Sequence, residues 1–388
     1  MGSSPDVVGA GLPVPEYLLV ALTAAAVTFL LTGVVRVFAF RIGAVAKPRA
    51  RDVHVVPMPR MGGVAMYCGV VGGMFLAHQL PELRRAFDYS LDPVAVLVGG
   101  GAIVLVGILD DRFELDWLTK LAGQVTAAGV LVLFGLQWFL FWVPWGGQNG
   151  SIGSLVVLDQ NQGGLLAVLL AITMANAMNF VDGLDGLAAG IGAIAAIATC
   201  AFSLVMLKDS GGDVNNYPPA LIAATLAGAC VGFLPHNFQP AKIFMGDSGS
   251  MLVGLMLAAS TTSASGHVTP SYYGAREALA LLTPVLVVAA VLFIPLLDLI
   301  MAVIRRASKG MPIGHPDKMH LHHRLLQLGH SQRRAVLLIY LWAGVIAFGA
   351  VALSIFDPLV VLWAMAVGLV VALLISATPK LRRLRTGR

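Results

Sequence analysis

The chain has 388 residues, of which 58% are apolar and only 12% are charged, whereas a soluble domain is about a quarter charged. Charged side chains this scarce cannot cover a water-exposed surface, so the composition excludes a soluble protein and indicates a membrane protein. The net charge of +5 does not indicate nucleic-acid binding, because the basic residues lie in short loops between apolar runs.

Apolar runs long enough to cross a membrane recur along the whole chain. A helix needs about 20 mostly apolar residues to cross roughly 30 Å of hydrocarbon. The sequence predicts eleven such spans, at residues 15–39, 62–80, 92–109, 119–141, 163–180, 187–206, 218–235, 249–265, 278–304, 336–356 and 358–376. The first is predicted to be a retained helix, because no basic segment and cleavage site accompany it. The predicted fold is an all-α polytopic membrane protein, one domain over residues 1–388 with a basic tail at 377–388.

Basic residues are distributed unequally between alternate loops. With eleven spans, 21 of the 25 Lys and Arg residues fall on one side of the membrane and four on the other. The positive-inside rule places the first side in the cytoplasm, so the N-terminus is predicted outside and the C-terminus inside.

The three cysteines give no sign of a disulfide framework or a zinc site. Cys68, Cys200 and Cys230 all lie inside apolar runs, and their number is odd. They are therefore predicted to be free thiols.

The first polar cluster is the pair Asp110 and Asp111, which ends the third predicted span in GILDDRFELDWLTK. Carboxylates there face the negative end of the helix dipole, at a cost of about 0.3–1 kcal/mol. The pair is either a solvated helix end or a site that holds a hard cation or activates a nucleophile. Lys120 could supply the balancing charge.

The second cluster is NAMNFVDGLDGLAAG, in which Asn176, Asn179, Asp182 and Asp185 recur at a spacing of three. If the stretch stays helical, these residues lie along one face. Four polar residues at the end of a span are unfavourable without a ligand. The alternative is a polar loop between two helices.

The third cluster is HNFQPAKIFMGDSGS, in which Asp247 immediately precedes the eighth span. Asp247 is either a metal ligand or an ordinary helix N-cap. Phe244 is a candidate stacking surface for a base, although a single aromatic is more often a packing residue.

The fourth cluster is GHPDKMHLHHRLLQLGH, which holds His320, His322, His323 and Arg324. Three histidines and an arginine within five residues can hold an oxyanion such as a diphosphate. The alternatives are a basic helix on an anionic membrane surface and, less favoured, a zinc site.

These clusters fall on the same predicted side of the membrane. A fifth segment there, KPRARDVHVVPMPRMGG, is mainly a topology signal, but some of Lys47, His54 and Arg60 are expected to reach the site. The sequence therefore predicts one composite site at the cytoplasmic face.

The ordered set of motifs between about residues 47 and 330 resembles the polyprenyl-phosphate N-acetylhexosamine-1-phosphate transferase superfamily, which includes the MraY and WecA-type enzymes. Asp110-Asp111 is similar to its aspartate pair, and 176–185 to its NxxNxxDGxDG segment. Residues 237–247 resemble its NxxPAKxFMGD segment. The histidines stand in an HxHH form, which resembles the WecA type rather than the contiguous HHH of MraY enzymes.

The resemblance implies roles for individual residues. It implies Mg²⁺, or Mn²⁺, on Asp247 with Asp110 or Asp182, and acceptor phosphate handled by Asp111. It implies substrate binding by the following residues: Lys120, Asn179, Asp185, Asn237, Phe244 and Arg324, of which Asp185, Asn237 and Phe244 would hold uridine. His320, His322 and His323 would act on the diphosphate.

The implied reaction transfers N-acetylglucosamine-1-phosphate from UDP-N-acetylglucosamine to polyprenyl phosphate and releases UMP. It would occur at the cytoplasmic face of a bacterial plasma membrane, as the first lipid-linked step of envelope polysaccharide synthesis. The resemblance also suggests a homodimer, membrane lipid as a partner and an apolar groove between helices for the prenyl chain. It leaves open whether the acceptor attacks directly or an aspartate is phosphorylated first. The alternatives are an MraY-like phospho-muramoyl-pentapeptide transferase and a transporter of an anionic solute.

Overall fold

Helices make up most of the computed structural model, which describes residues 12–46, 57–143, 154–266 and 330–386. Within these residues the helices are α1 (Val14–Ile42), α2 (Gly62–Gln79), α3 (Arg85–Tyr89), α4 (Asp92–Phe113), α5 (Trp117–Leu133), α6 (Gln160–Val181), α7 (Leu187–Asp209), α8 (Tyr217–Asn237), α9 (Gly246–Gly266), α10 (Gln332–Ile355) and α11 (Pro358–Thr386). A 3₁₀ turn at Val214–Asn216 precedes α8.

Two short antiparallel ribbons are the strands of the described residues, and the mostly helical chain fits the predicted all-α fold class. Strand β1 (Val45–Ala46) pairs with β2 (Met58–Pro59). Strand β3 (Leu140–Val143) pairs with β4 (Ser154–Val157) in the register Leu140 to Val157. Both ribbons join helices and lie outside the helical bundle's apolar spans.

Local sequence sets several helix boundaries. Asp159 and Gln162 form a capping box at the start of α6, with the Asp159 carboxylate accepting from the Gln162 amide at 2.9 Å. Asp116 caps α5 by accepting from the Thr119 amide at 3.0 Å. Gly43, with φ of 74°, ends α1 in the left-handed conformation that glycine adopts without strain.

Seven helices of the described part are long and apolar enough to cross a membrane: α1, α4, α6, α7, α8 together with its preceding turn, α10 and α11. They confirm the predicted spans at 15–39, 92–109, 163–180, 187–206, 218–235, 336–356 and 358–376. The spans predicted at 62–80 and 249–265 coincide with the helices α2 and α9, which are not among these seven. Glycines, with His78 and Gln79, lower the hydropathy of α2, and glycines, serines and threonines lower that of α9. The span at 278–304 lies outside the described residues.

The predicted span at 119–141 was too long. Helix α5 ends at Leu133, and the chain continues through Gly135, with φ of 97°, into β3. The apolar side chains after Leu133 belong to a turn and a strand rather than to a helix, which composition alone does not distinguish.

Successive helices run in opposite directions, so that polar residues collect at one end of the bundle. At this end, the site end, the Gly62 amide at the start of α2 donates to the Phe244 carbonyl just before α9. At the opposite end, the far end, the Tyr17 hydroxyl donates to the Tyr217 carbonyl at 3.1 Å. The predicted gathering of the polar motifs at one face of the membrane therefore matches the described helices.

Helix α8 lies at the centre of the bundle and α11 at its lipid-facing edge. In α8 with its preceding turn, 89% of the most apolar stretch is buried, against 11% of the corresponding stretch of α11. Small residues allow α1 to approach α8 closely: a Cβ added at Gly228 would lie 2.1 Å from the Ala21 carbonyl oxygen. The buried apolar side chains of α1 to α10 form a continuous core, and Cys68, Cys200 and Cys230 are free thiols, as predicted.

Candidate active site

The ammonium of Lys120 lies at the centre of the site end. It forms ion pairs with Asp110 of α4, at 3.1 Å, and with Asp247 of α9. Lys120 itself is in the first turn of α5, so one cation connects three helices. The prediction that Lys120 supplies a charge to balance the aspartates is confirmed by this geometry.

Asp247 is not the cap of its own helix. It lies in the first turn of α9, after the residue at which that helix begins, and its carboxylate contacts Lys120 of α5. Besides the Lys120 contact, it accepts a hydrogen bond from the Asn179 amide of α6 at 2.8 Å. The Asn179 amide also donates to the Ser250 hydroxyl at 3.1 Å. The N-cap interpretation of Asp247 is therefore wrong, and its carboxylate belongs to the site.

The two neighbouring aspartates of α4 have different environments. Asp110 accepts from the Leu115 amide at 2.8 Å with one oxygen and meets Lys120 with the other. Asp111 is only 5% exposed, and its carboxylate accepts from the Asp247 amide at 2.9 Å and the Ser248 hydroxyl at 2.8 Å. The interpretation of the pair as a solvated helix end is therefore wrong for both residues.

The segment 176–186 is helical only in its first part. Helix α6 ends at Val181, so Asn176 and Asn179 share a helical face, whereas Asp182 and Asp185 lie in the loop before α7. The expectation of four polar residues along one helical face is thus correct for the two asparagines only.

Asp182 shows that carboxylates are crowded here. Its pKa is raised to about 7, mainly by burial and then by the carboxylates of Asp111 and Asp185. The Arg60 guanidinium and the Gly246 backbone amide lower the pKa and so oppose this shift. Of the fifth segment, Arg60 is thus near enough to act on Asp182 through its charge, and Lys47 and His54 lie outside the described residues.

Asn237 and Asp185 join the two loops that border the cluster. Asn237 is 1% exposed; its side-chain oxygen accepts from the Gly186 amide at 3.1 Å, and its nitrogen donates to the Ile243 carbonyl at 3.0 Å. The Asp185 carboxylate accepts from the Ala241 amide at 3.0 Å. A uridine contact by either residue would have to be made alongside these backbone bonds.

Phe244 lies in the loop before α9, beside the start of α2. Its amide donates to the Pro59 carbonyl at 2.9 Å, and its carbonyl accepts from Gly62 at 3.1 Å. The side chain is half-buried. His320, His322, His323 and Arg324 lie outside the described residues.

Hard-cation binding is compatible with the donor set at Lys120. The carboxylates of Asp110 and Asp247, from different helices, converge on one positive charge, and such oxygens are the ligands Mg²⁺ prefers. Among the described residues no three His, Cys, Asp or Glu side chains are grouped to hold a metal. Mg²⁺ often uses only one or two carboxylates together with substrate phosphates, so two converging carboxylates fit it.

Comparisons with known proteins decide the family. The sequence profile of "Glycosyl transferase family 4" matches residues 93–265. The chain is 57% identical to the decaprenyl-phosphate N-acetylglucosaminephosphotransferase of Mycolicibacterium smegmatis, over 97% of this chain and 91% of that protein. The chain belongs to the polyprenyl-phosphate N-acetylglucosamine-1-phosphate transferases. The resemblance seen in the motifs is thereby confirmed.

Two further relatives show the breadth of the family. The Mycobacterium leprae decaprenyl-phosphate N-acetylglucosaminephosphotransferase is 55% identical over 96% of this chain and 93% of its own length. The Salmonella typhimurium undecaprenyl-phosphate alpha-N-acetylglucosaminyl 1-phosphate transferase is 30% identical over 85% of this chain and 83% of its own length. The profile match includes the described polar cluster but ends before the histidine segment.

Sequence reasoning missed two residues of this family member's polar cluster. Gln124 exchanges amide hydrogen bonds with Asn176, the shorter of them 2.7 Å, one helical turn deeper than Lys120. The feature of the sequence that could have indicated Gln124 is a single side-chain amide in an apolar helix, one turn after Lys120. Ser248 is fully buried against Asp111; its contact is non-local and has no signal in the spacing of motifs.

Replacing Asn237 with alanine tests whether its amide is a loop clamp. We expect Asn237→Ala to leave the Gly186 amide and the Ile243 carbonyl unpaired and to destabilise the protein by about 1–3 kcal/mol. Thermal unfolding in detergent should show a clear loss of Tm. Asn215→Ala, at an exposed position of the far-end 3₁₀ turn, is the matched control and should unfold like the unchanged protein. An unchanged Tm combined with weaker nucleotide-sugar binding would instead make Asn237 a substrate contact.

Proposed function

We propose that the chain transfers N-acetylglucosamine-1-phosphate from UDP-N-acetylglucosamine to a polyprenyl phosphate, giving polyprenyl-diphospho-N-acetylglucosamine and UMP. The observation that carries the proposal is the Lys120 ammonium held between carboxylates of two other helices at one end of a membrane bundle. Relatives named for this transfer, matched over nearly the whole chain, support the same reaction.

The reaction exchanges one phosphorus–oxygen bond for another. An oxygen of the acceptor phosphate attacks the donor phosphorus that carries the sugar, and the bond from that phosphorus to the bridging oxygen breaks. The electron pair leaves with UMP. Because the bonds gained and lost are alike, positioning and neutralisation of phosphate charge provide most of the rate.

The residues at Lys120 are suited to this task. The Lys120 ammonium can contact phosphate oxygens, because its side chain and those of its partners Asp110 and Asp247 are partly exposed and lie outside the apolar core. Asp247 and Asp110 would hold Mg²⁺, and Asn179 orients the Asp247 carboxylate. When bound, Mg²⁺ neutralises charge on the diphosphate.

The loops beside the cluster are proposed to bind the rest of the donor. Asp185, Asn237 and Phe244 border them, and their backbone contacts hold the two loops in fixed relation. The segment with His320, His322, His323 and Arg324 is proposed to take the diphosphate. Asp182 is proposed to act in catalysis beside the metal site.

The donor sugar and the lipid are supported by the relatives rather than by a visible pocket. The relatives at 57% and 55% identity are named for decaprenyl phosphate, and the one at 30% for undecaprenyl phosphate; all three are named for N-acetylglucosamine. A transporter site would be expected near the middle of the membrane. The carboxylate and lysine cluster instead lies at helix ends, which favours the transferase.

Product analysis tests the proposed function. Purified enzyme should release UMP from UDP-N-acetylglucosamine when decaprenyl or undecaprenyl phosphate is present, and mass spectrometry should detect lipid-linked N-acetylglucosamine phosphate. UDP-muramoyl-pentapeptide, supplied separately, should give no lipid product. A lipid-linked muramoyl-peptide would contradict the proposal and favour an MraY-like enzyme.

Asp247→Asn tests the carboxylate pair. We expect a loss of turnover of about 100-fold or more, since one group that stabilises transition-state charge is removed. Asp116→Asn is the matched control: it lies at the same end, is exposed, and Asn caps a helix as well as Asp. Normal Asp247→Asn turnover at ordinary Mg²⁺, measured by UMP release, would remove Asp247 from the site.

The site end is proposed to face the cytoplasm, where 21 of the 25 basic residues are predicted to lie. Lys242 and Ser210 are both exposed and belong to the site end and the far end respectively. In intact cells an impermeant thiol reagent should label Ser210→Cys, and Lys242→Cys only after the inner face is opened. The unsubstituted protein controls for its own three thiols, and the reverse labelling pattern would invert the topology.

A further inference from the structure

Helices α4 and α9 run antiparallel and are joined at both ends by an aspartate and a serine. At the site end the Asp111 carboxylate accepts from the Ser248 hydroxyl at 2.8 Å. At the far end the Asp92 carboxylate accepts from the Ser263 hydroxyl at 2.5 Å. The two pairs use the same residue types between the same two helices, but only the first adjoins the polar cluster.

The Asp111 carboxylate also bonds to the backbone of α9. It accepts from the Asp247 amide at 2.9 Å and from the Ser248 amide at 3.3 Å. First-turn amides have no partner within their own helix, and a helix N-terminus favours negative charge. Asp111 therefore caps α9 from a neighbouring helix, a role usually filled by a residue just before the helix.

Two glycines make room for this cap. A Cβ at Gly107, one turn before Asp111, would lie 2.2 Å from the Ser248 Cα. A Cβ at Gly246 would lie 2.4 Å from an Asp111 carboxylate oxygen, and Gly246 has a φ of 71°. Both close approaches exclude larger residues, so the contact between Asp111 and α9 depends on glycine in both helices.

The cap fixes the residue that we assign to the metal. The amide and the carboxylate of Asp247 belong to one residue, so holding the amide restricts where the carboxylate can meet Lys120 and Asn179. Asp111 and Ser248 are 5% and 0% exposed, respectively. Three donors from α9 already bond to the Asp111 carboxylate, which leaves it poorly placed to receive a phosphate.

We infer that Asp111 is a positioning residue, which caps α9 and thereby fixes Asp247, and that it does not contact the acceptor phosphate. The expected effect of Asp111 on activity rests on the proposed transfer. The capping of α9 by Asp111 rests on the hydrogen bonds alone and does not depend on that proposal. This positioning role replaces the role in acceptor binding that the family resemblance implied for Asp111.

The first measurement follows backbone amide exchange of the protein without substrates. Asp111 accepts with both carboxylate oxygens, and Asp111→Asn replaces one of them with an NH₂ group that cannot accept, so at least one α9 amide loses its partner. Exchange in the peptide containing Gly246–Ser250 should therefore become about tenfold faster, as for a buried donor left unpaired. Ser248→Ala keeps the backbone bonds and should give a smaller increase. Asp92→Asn and Ser263→Ala, which alter the matching far-end pair, should leave this peptide unchanged.

The second measurement is steady-state kinetics. Asp111→Asn and Ser248→Ala should both lower kcat and raise the Mg²⁺ requirement, by up to about tenfold, as partners of metal ligands do. The KM for polyprenyl phosphate should not change. Ser248→Ala is decisive, because this hydroxyl is fully buried and donates to Asp111. The far-end variants should keep normal kcat and KM.

Three results would overturn the inference. One is unchanged exchange of the first turn of α9 in Asp111→Asn. Another is a raised KM for polyprenyl phosphate in Asp111→Asn with normal kinetics in Ser248→Ala. If Asp111→Asn does not fold, exchange and kinetics of Ser248→Ala equal to those of the unchanged protein would also overturn it. Failure of the unchanged enzyme to use UDP-N-acetylglucosamine would instead contradict the proposed function, and exchange alone would then decide the cap.

Discussion

The contact of Lys120 with Asp110 and Asp247 is the interaction on which the site end depends, because it connects α5 to α4 and α9. The three side chains are 13–25% exposed, so much of their hydration is lost. Removing one partner from such a group leaves an uncompensated charge in a poorly hydrated place. The ends of three helices therefore stay together for an electrostatic reason, in a region where apolar packing gives way to loops.

The adjacent aspartates of α4 show how two unfavourable charges are accommodated by distant residues. Their position at a helix C-terminus is unfavourable for both. The structure turns each towards a positive partner: Asp110 towards Lys120, and Asp111 towards the N-terminus of α9. Lys120 is ten residues away and α9 begins 135 residues away, so the compensation is a product of the bundle and not of the local helix.

The sequence predicted the helices and the gathering of the motifs at one end, because hydropathy and loop charge are local properties. The sequence could not predict the partners of Asp247, because they belong to other helices. Within its own motif, an aspartate just before an apolar run is equally compatible with a helix N-cap. The sequence also predicted that the fourth span continues to residue 141, because a short apolar run after Gly135 is equally compatible with a helix and with a strand. Gln124 and Ser248 were missed because their importance lies in contacts between helices, which spacing within one segment does not reveal.

The carboxylates of the site limit how much further negative charge it can bind. The carboxylates of Asp110, Asp111, Asp182, Asp185 and Asp247 lie at the site end, and burial, followed by the charges of Asp111 and Asp185, raises the pKa of Asp182 to about 7. A nucleotide diphosphate and an acceptor phosphate would bring further negative charge. Lys120 and Arg60 cannot balance all of it, so substrate binding requires additional cations. The proposed sources are a divalent metal, which would take carboxylate and phosphate oxygens as ligands, and the segment with three histidines and Arg324, which would bind phosphate oxygens.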